Sequence, residues 1–335
     1  MSAPDKQKDD DDLSSLQHEV DEEFNLNDQN IFGHADPELN EQMNLIENFV
    51  TTDITQLPIN KKPPKYTLIE PSILFEFWGH EVLDSYKKQT RKIILLFQRK
   101  ELKVPNELEE QLSFINNKIS MLETSIKSGQ ISELQYKKSL INAINRELSE
   151  LPCRALEDFN EFEQNIINTI NELMQFYNND AEEEEDNDAN GNNEAKNEQT
   201  ALKNKDEIFD YLQIPSEFFL TNEEKGQFWG SFVLIFYLRL VCLVDTLYEK
   251  IDPRRPLPNE ISENKAFCSA ELKKIQNDTK TGTMAPGDYL DMLSEAIQRE
   301  KAKKGALLPP QKHRVNILEK EFGQISQYIK DEDDD

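Results

Sequence analysis

The triplet Phe-Trp-Gly occurs twice in this 335-residue chain, at residues 77–79 and 228–230, and it contains the only two tryptophans. At the same offset, Val82, Leu83 and Tyr86 correspond to Val233, Leu234 and Tyr237. Pro105-Asn106-Glu107 then recurs as Pro258-Asn259-Glu260, displaced by two further residues. Matches in the same order with one small gap predict two copies of one helical unit. A chance alignment of two helical segments of similar composition is the alternative.

The matches continue as far as Glu147 and Glu300. With the second offset, the paired residues are Tyr136 and Tyr289, Leu140 and Leu293, Arg146 and Arg299, and Glu147 and Glu300. The repeat is longer than the units of roughly 20–50 residues that build solenoids. We therefore expect two tandem helical domains, at residues 66–177 and 206–330.

The formal charge of −27 lies almost entirely in three segments that are poor in apolar residues. Residues 1–60 carry −13, residues 178–200 carry −8 and residues 331–335 carry −5. Such segments bury too little apolar surface to offset the roughly 1–2 kcal/mol of backbone entropy that each residue loses on folding. We expect an acidic disordered arm at 1–65 with a short helix at 38–49, a disordered linker at 178–205, and an acidic tail at 331–335. The remainder is near neutral, which argues against a nucleic-acid-binding protein with a basic footprint.

A heptad pattern of apolar residues follows the first Pro-Asn-Glu. Its alternating spacing of four and three residues is typical of a helix that packs along a coiled-coil seam. The seam consists of Leu108, Leu112, Ile115, Ile119, Leu122 and Ile126. The seam stops at Ser128-Gly129, where glycine is suited to end a helix, and Ser132 can cap the next one, which predicts an antiparallel, coiled-coil-like αα-hairpin with arms of roughly 20 residues. The second copy has a weaker seam, and no stretch alternates with the period of a strand, so the predicted fold class is all-α.

The seam and a basic cluster are the candidate partner-binding residues. The cluster consists of Lys87, Lys88, Arg91 and Lys92, and is continued by Arg99 and Lys100. A second cluster consists of Lys301, Lys303, Lys304, Lys312 and Arg314. Either cluster suits an acidic protein partner or lipid headgroups, and the alternatives are a solvated face or a face covered by the chain's own acidic arm. The seam suits a partner helix or self-association.

No residue pattern is typical of catalysis, of a cofactor site or of a metal site. The four histidines have no metal-ligand spacing, the three cysteines form no CxxC pair, and the Gly-rich phosphate-binding motifs are missing. The apolar stretch at 228–247 contains Arg239 and Asp245, and a membrane-spanning helix needs about 20 predominantly apolar residues. We therefore expect a buried core helix rather than a transmembrane one.

The two tryptophans and the two Arg-Glu pairs allow structural and functional interpretations. Trp78 and Trp229 are expected to anchor the cores of their copies, with exposed binding hot spots as the alternative. Arg146 and Arg299, each followed by a glutamate, are expected to form ion pairs that lock the fold or face solvent, with partner contacts as the alternative.

Together these features favour a non-enzymatic, intracellular adaptor or assembly scaffold that binds other proteins through its helical hairpins. The N-terminal residues have no apolar core typical of a signal peptide, which favours the cytoplasm or the nucleus. The acidic segments favour an alternative, an acidic chaperone or assembly factor for basic proteins of the histone or ribosomal-protein type. A helical enzyme whose site is assembled from scattered polar residues is a third hypothesis.

Overall fold

Helices account for all regular structure in the described part of the chain. A computed structural model of the protein describes residues 62–183 and 205–334, with side chains over 62–177 and 205–330. The predicted arm up to residue 61, its short helix at 38–49 and most of the predicted linker lie outside these ranges. No strand occurs within the described ranges, which confirms the predicted all-α class.

The helices are numbered here in chain order. They are α1 (Pro71–Phe75), α2 (His80–Arg99), α3 (Asn106–Lys127), α4 (Glu133–Glu150), α5 (Phe159–Glu183), α6 (205–211), α7 (Asn222–Lys225), α8 (Gly230–Ile251), α9 (Asn259–Lys280), α10 (Pro286–Lys301) and α11 (Pro309–Asp334). Short 3-10 turns follow α4 at Leu151–Cys153 and precede α7 at Ser216–Phe218.

The helices that pack side by side are not those that the sequence analysis paired. In the first half of the described chain, α2 packs along α3 and α4 packs along α5. Residue contacts show that α2 and α3 are antiparallel, since His80 lies near Glu123 while Thr90 accepts a hydrogen bond from Gln111. The predicted hairpin of α3 with α4 is therefore wrong as a packing unit, although Gly129 does form the turn between them with φ +71°.

The error has a simple physical origin. A heptad seam shows that α3 has one apolar stripe, but it does not identify the helix that covers that stripe. Short connections join α3 both to α2 and to α4, so either neighbour was available. Val82, Leu83 and Tyr86 on α2 share a core with Ile115 and Ile119 of the seam.

The second half repeats this pairing pattern. There α8 packs along α9, α10 packs along α11, and α8 also contacts α11 just as α2 contacts α5. One continuous core joins buried residues of α4 and α5 to those of α8 to α11, while a smaller core lies between α2 and α3. Buried contacts therefore join the described residues of 66–177 to those of 206–330, and these described residues belong to one compact unit.

Helix α8 is the apolar centre of the larger core. Buried residues line it from Gly230 to Ile251, including Phe236, Leu243 and Leu247. Among the helices that the structure describes, it alone is long and apolar enough to cross a membrane, and over half of its most apolar stretch is buried inside the protein. Its neighbours α5, α9 and α11 cover it on several sides, which accounts for its apolar composition.

Two helices extend into segments that were predicted to be disordered. Helix α5 continues to Glu183 and α11 continues to Asp334, beyond the predicted boundaries at residues 177 and 330. Alanine and glutamate at 181–183 favour helix continuation once α5 has formed, whereas the aspartates at 331–334 are poor helix formers and their composition does not explain why α11 continues. The predicted disorder is therefore wrong for residues 178–183 and 331–334.

Replacing Ser132 with alanine is expected to lower the free energy of unfolding by about 1 kcal/mol. Ser132 caps α4 as predicted: its hydroxyl accepts from the backbone N–H of Gln135 at 3.3 Å, and the Gln135 side chain accepts from the Ser132 N–H at 2.9 Å. Chemical denaturation followed by circular dichroism measures the effect. Exposed Ser120→Ala on α3 is the control, and an equal loss in both variants would contradict the capping role.

Candidate interaction surface

A buried carboxylate holds the N-terminus of α2. Glu172 on α5 accepts hydrogen bonds from the backbone N–H of His80 at 2.9 Å and of Glu81 at 3.2 Å. The Tyr136 hydroxyl on α4 also donates to this carboxylate. A Cβ atom at Gly79 would overlap the Glu172 side chain, so glycine is required there by close approach. Burial raises the pKa of Glu172, although the hydrogen bonds act in the opposite direction.

The same arrangement recurs at the N-terminus of α8. Glu321 on α11 accepts from the backbone N–H of Ser231 at 2.9 Å and of Phe232 at 3.1 Å. The Tyr289 hydroxyl on α10 donates to Glu321 at 2.6 Å. Gly230 has φ +74°, which also favours glycine. The glycine of each Phe-Trp-Gly triplet thus admits an acidic cap from a helix about 90 residues away in sequence.

Each tryptophan is braced by an arginine. Trp78 and Trp229 are 3% and 1% exposed, which confirms that they are core residues. The guanidinium of Arg146 lies 4.6 Å from the centre of the Trp78 ring, and Arg299 lies at the same distance over Trp229. Arg146 and Arg299 also donate to the backbone carbonyls of Phe77 and Phe228, at 3.3 Å and 2.9 Å. These arginines therefore pack against the chain itself, consistent with the structural interpretation.

The two halves differ in how they pair a buried glutamate on α4 or α10. Glu300 is fully buried and lies 2.7 Å from the Lys303 ammonium and 3.4 Å from the Arg314 guanidinium. In the first half, the nearest cation to Glu147 is Arg146, at 3.4 Å, and no second cation is paired with it among the described residues. Burial raises the pKa of Glu147 to about 7. The first half thus contains a buried carboxyl group that titrates near neutral pH.

The predicted seam mostly faces the interior of the chain. Leu108 and Ile115 are fully buried and Ile119 is 8% exposed. Leu112 and Leu122 are partly buried, and Ile126 is exposed at the C-terminal end of α3. In this conformation a partner helix cannot reach the buried residues Leu108, Ile115 and Ile119, because α2 packs along this side of α3.

The predicted basic cluster lies on the outer surface of α2. Lys88, Arg91 and Lys92 are exposed and Lys87 is partly buried. Lys88 lies 3.6 Å from the Asp84 carboxylate, a surface pair of the kind that contributes little to stability. Residues 85–103 contain seven basic residues and one acidic residue, so this surface is strongly basic within an acidic protein.

The second basic cluster is largely used within the fold. Arg314 is buried and donates to Glu224 at 2.6 Å and to the Tyr237 hydroxyl at 3.2 Å. Lys303 pairs with Glu300 as described above, and Lys301 pairs with Glu319 at 2.6 Å. These pairs leave the α2 cluster as the more accessible of the two predicted basic surfaces.

Helix α8 is the counterpart of α2 in the second half of the chain. Helix α5 covers the side of α8 that corresponds to the basic side of α2. The Phe236 and Phe159 rings pack edge to face at 6.2 Å. Arg239 donates to the Asn160 side chain and lies 3.8 Å from the Glu163 carboxylate. Further along, Lys250 donates to the Asn171 side chain at 3.4 Å. Contacts thus follow increasing residue numbers on both helices, so α5 and α8 run parallel.

The matching side of α2 is exposed and charged. At the offset that relates the two Phe-Trp-Gly triplets, it consists of Ser85, Lys88, Lys92, Leu96 and Arg99, and we call this set the α2 flank. The corresponding residues of α8 are Phe236, Arg239, Leu243, Leu247 and Lys250. Leu247 is fully buried, whereas Leu96 is 41% exposed. The sequence analysis found the basic residues of the flank, but comparing the two helices position by position would have predicted that only one of them is covered.

No protein-family model, curated protein or solved structure gave a match to this chain. Within residues 62–177 and 205–330, no group of three or more His, Cys, Asp or Glu side chains is arranged to hold a metal ion.

Proposed function

We propose that the chain is an intracellular adaptor or assembly scaffold, made of two tandem copies of one four-helix unit, that binds protein partners through the α2 flank. In this proposal the repeated units form a stable support and the exposed end of the first unit supplies the binding surface. The seam on α3 contributes to the support rather than to the partner contact, because its buried residues Ile115 and Ile119 pack against α2.

The paired contacts support a duplication. In each half the first helix packs along the second and the fourth, and the third packs along the fourth. The glycine, the acidic cap, the tyrosine that donates to it and the arginine over the tryptophan all recur in the same order. Two unrelated helical segments of similar composition would have no reason to share these long-range partners.

One observation carries the binding proposal. Of the five α8 residues on the side that α5 covers, three are apolar and two are basic, whereas the same side of α2 has three basic residues and one apolar residue and is mostly exposed. Terminal units of a repeat array commonly have a polar outer face, because no further unit covers them. Solubility alone needs mixed charge, however, and the α2 flank carries Lys88, Lys92 and Arg99 and no acidic residue, with Asp84 beside Lys88, so it attracts acidic partners.

The remaining parts of the proposal rest on the sequence. A non-enzymatic role and an intracellular location are proposed on the residue patterns alone. The alternative of an acidic chaperone for basic proteins depends on acidic segments that lie mostly outside the described residues, and no described contact favours it over the adaptor.

Reversing the charge of the α2 flank is expected to remove at least one bound protein from the full-length chain. The test variant is Lys88→Glu, Lys92→Glu, Arg99→Glu, and the matched control is Lys273→Glu, Lys274→Glu, Lys280→Glu, three exposed lysines on α9. Tagged wild-type and variant chains are isolated from cells and their bound proteins are quantified by mass spectrometry. We expect to find at least one protein that is bound to the wild-type chain and to the control variant but not to the test variant.

Unchanged circular dichroism spectra would show that both variants are folded. If the test variant and the wild type retain the same proteins in equal amounts, the α2 flank is not the binding surface and the proposed function fails in this form.

A further inference from the structure

We infer that the occupant of the α2 flank is an acidic helix of a partner protein, which lies parallel to α2 in the position that α5 takes on α8. This inference rests on the proposed function and adds the chemistry and geometry of the partner. It is argued from the α5–α8 contact, from the charges of the α2 flank and from the charges of α11.

The α5–α8 contact shows what this side of the repeated unit accommodates. Phe159, Glu163 and Asn171 of α5 meet Phe236, Arg239 and Lys250 of α8, respectively. At 3.6 residues per turn the three contact residues of α8 lie within about 60° of one another and those of α5 within about 120°, so one side of α8 receives α5. The surface that receives α5 is therefore a straight helical stripe about 20 Å long.

The α2 flank keeps the charges of this stripe and lacks its aromatic residue. Lys88 and Arg99 stand where Arg239 and Lys250 stand on α8, and Ser85 replaces Phe236. A helix that matches the flank carries an acidic residue opposite Lys88 and another, eight residues later, opposite Arg99. It needs no aromatic residue at the position of Phe159. The exposed Leu96 between these charges offers a single apolar contact.

A second copy of this chain is a poor match for the flank. If the copies stacked head to tail, α11 of one copy would meet α2 of the next as α5 meets α8. The residues of α11 that correspond to Glu163 and Asn171, by the offset between Glu172 and Glu321, are Lys312 and Lys320. These lysines would face Lys88 and Arg99, and like charges in direct opposition disfavour association.

A synthetic helix with the proposed charges tests the inference. The probe is a fluorescein-labelled peptide of residues 157–177 with Asn171→Glu, which keeps Glu163 and places the second acid eight residues after it. The control peptide carries Glu163→Lys and Asn171→Lys. Fluorescence anisotropy with the full-length chain measures the dissociation constant, in 50 mM and 300 mM NaCl.

We expect the probe to bind the wild-type chain and the α9 control variant with affinities within about twofold of each other. The flank variant Lys88→Glu, Lys92→Glu, Arg99→Glu should bind it at least about tenfold more weakly, because the contacts at Lys88 and Arg99 become repulsive and Lys92→Glu adds a further negative charge to the surface. The control peptide should also bind the wild-type chain at least about tenfold more weakly than the probe does. Binding of the probe should be weaker in 300 mM than in 50 mM NaCl. Equal binding by the flank variant, or no binding by the wild type, overturns the inference.

Two parallel measurements identify other occupants. Carbodiimide coupling of mixed ¹⁴N- and ¹⁵N-labelled full-length chains joins contacting lysines and carboxylates. Same-chain products that link Lys88 or Lys92 to acids of residues 1–60 would assign the flank to the chain's own arm and overturn a partner helix. If the chain binds phosphatidylserine vesicles through the α2 flank and does not bind the peptide, the α2 flank contacts a lipid surface. That result would also overturn the inference of a partner helix. The cellular binding experiment above is independent of both, so failure of this inference is distinguishable from failure of the proposed function.

Discussion

Alanine in place of Gly230 is expected to lower the free energy of unfolding by about 3 kcal/mol, the sum of a backbone cost and a packing cost. Gly230 has φ +74°, a left-handed conformation that costs other residues roughly 1–2 kcal/mol. The added Cβ atom would also lie 2.5 Å from a carboxylate oxygen of Glu321 and 2.7 Å from Leu293. Overpacking of this kind typically costs about 1–3 kcal/mol. Urea denaturation followed by far-ultraviolet circular dichroism measures the change.

Two other glycines separate the contributions. Gly282 has φ +71° and no atom within 4 Å of its Cβ position, so Gly282→Ala should show the backbone cost alone, about 1 kcal/mol. Gly79 has φ −66°, and its Cβ would overlap Glu172, so Gly79→Ala should show the packing cost alone. If Gly230→Ala is no more destabilising than Gly282→Ala, Glu321 moves aside freely and does not act as a fixed cap.

The importance of these glycines was not readable from the local sequence. The Phe-Trp-Gly repeat predicted where the units begin, and helical periodicity predicted the all-α fold, because both signals are contained in neighbouring residues. The requirement for glycine comes instead from Glu172 and Glu321, which reach the start of α2 and α8 from helices about 90 residues away. Only the tertiary fold brings the two groups together.

The candidate binding surface could also be predicted only in part from the sequence. The basic residues of α2 stand out in the sequence, and the structure places Lys88, Arg91 and Lys92 on the outside. The seam, in contrast, was assigned to a partner because an apolar stripe looks the same whether it is covered by another protein or by the preceding helix. The sequence also could not show that Glu147 and Glu300, identical residues at matching positions, have different neighbours. That difference arises on another helix, where Asn165 takes the place of Arg314.

The buried Glu147 is expected to make the chain less stable as the pH rises from about 5 to about 8. A glutamate in an unfolded chain has a pKa near 4.3, while burial raises the pKa of Glu147 in the folded chain to about 7. Between these values the folded state binds the proton more tightly than the unfolded state, so stability falls with increasing pH. The whole shift corresponds to about 4 kcal/mol of stability, nearly all of which is lost by about pH 7. Glu161, Glu163 and Glu172, whose pKa values burial also raises, act in the same direction.

Glutamine at position 147 isolates this contribution. The Glu147→Gln variant cannot ionise, so its stability relative to wild type should increase by about 2–3 kcal/mol between pH 5 and pH 8, measured by urea denaturation at both values. Glu300→Gln is the matched comparison and should have the opposite effect at pH 8. It removes a partner from Lys303 and from the buried guanidinium of Arg314, which still contacts Glu224, and should cost about 2 kcal/mol. If Glu147→Gln follows the wild type at both pH values, Glu147 finds a cation or water in solution. In that case the two halves pair their buried glutamates alike, and the Asn165-for-Arg314 difference has no electrostatic consequence.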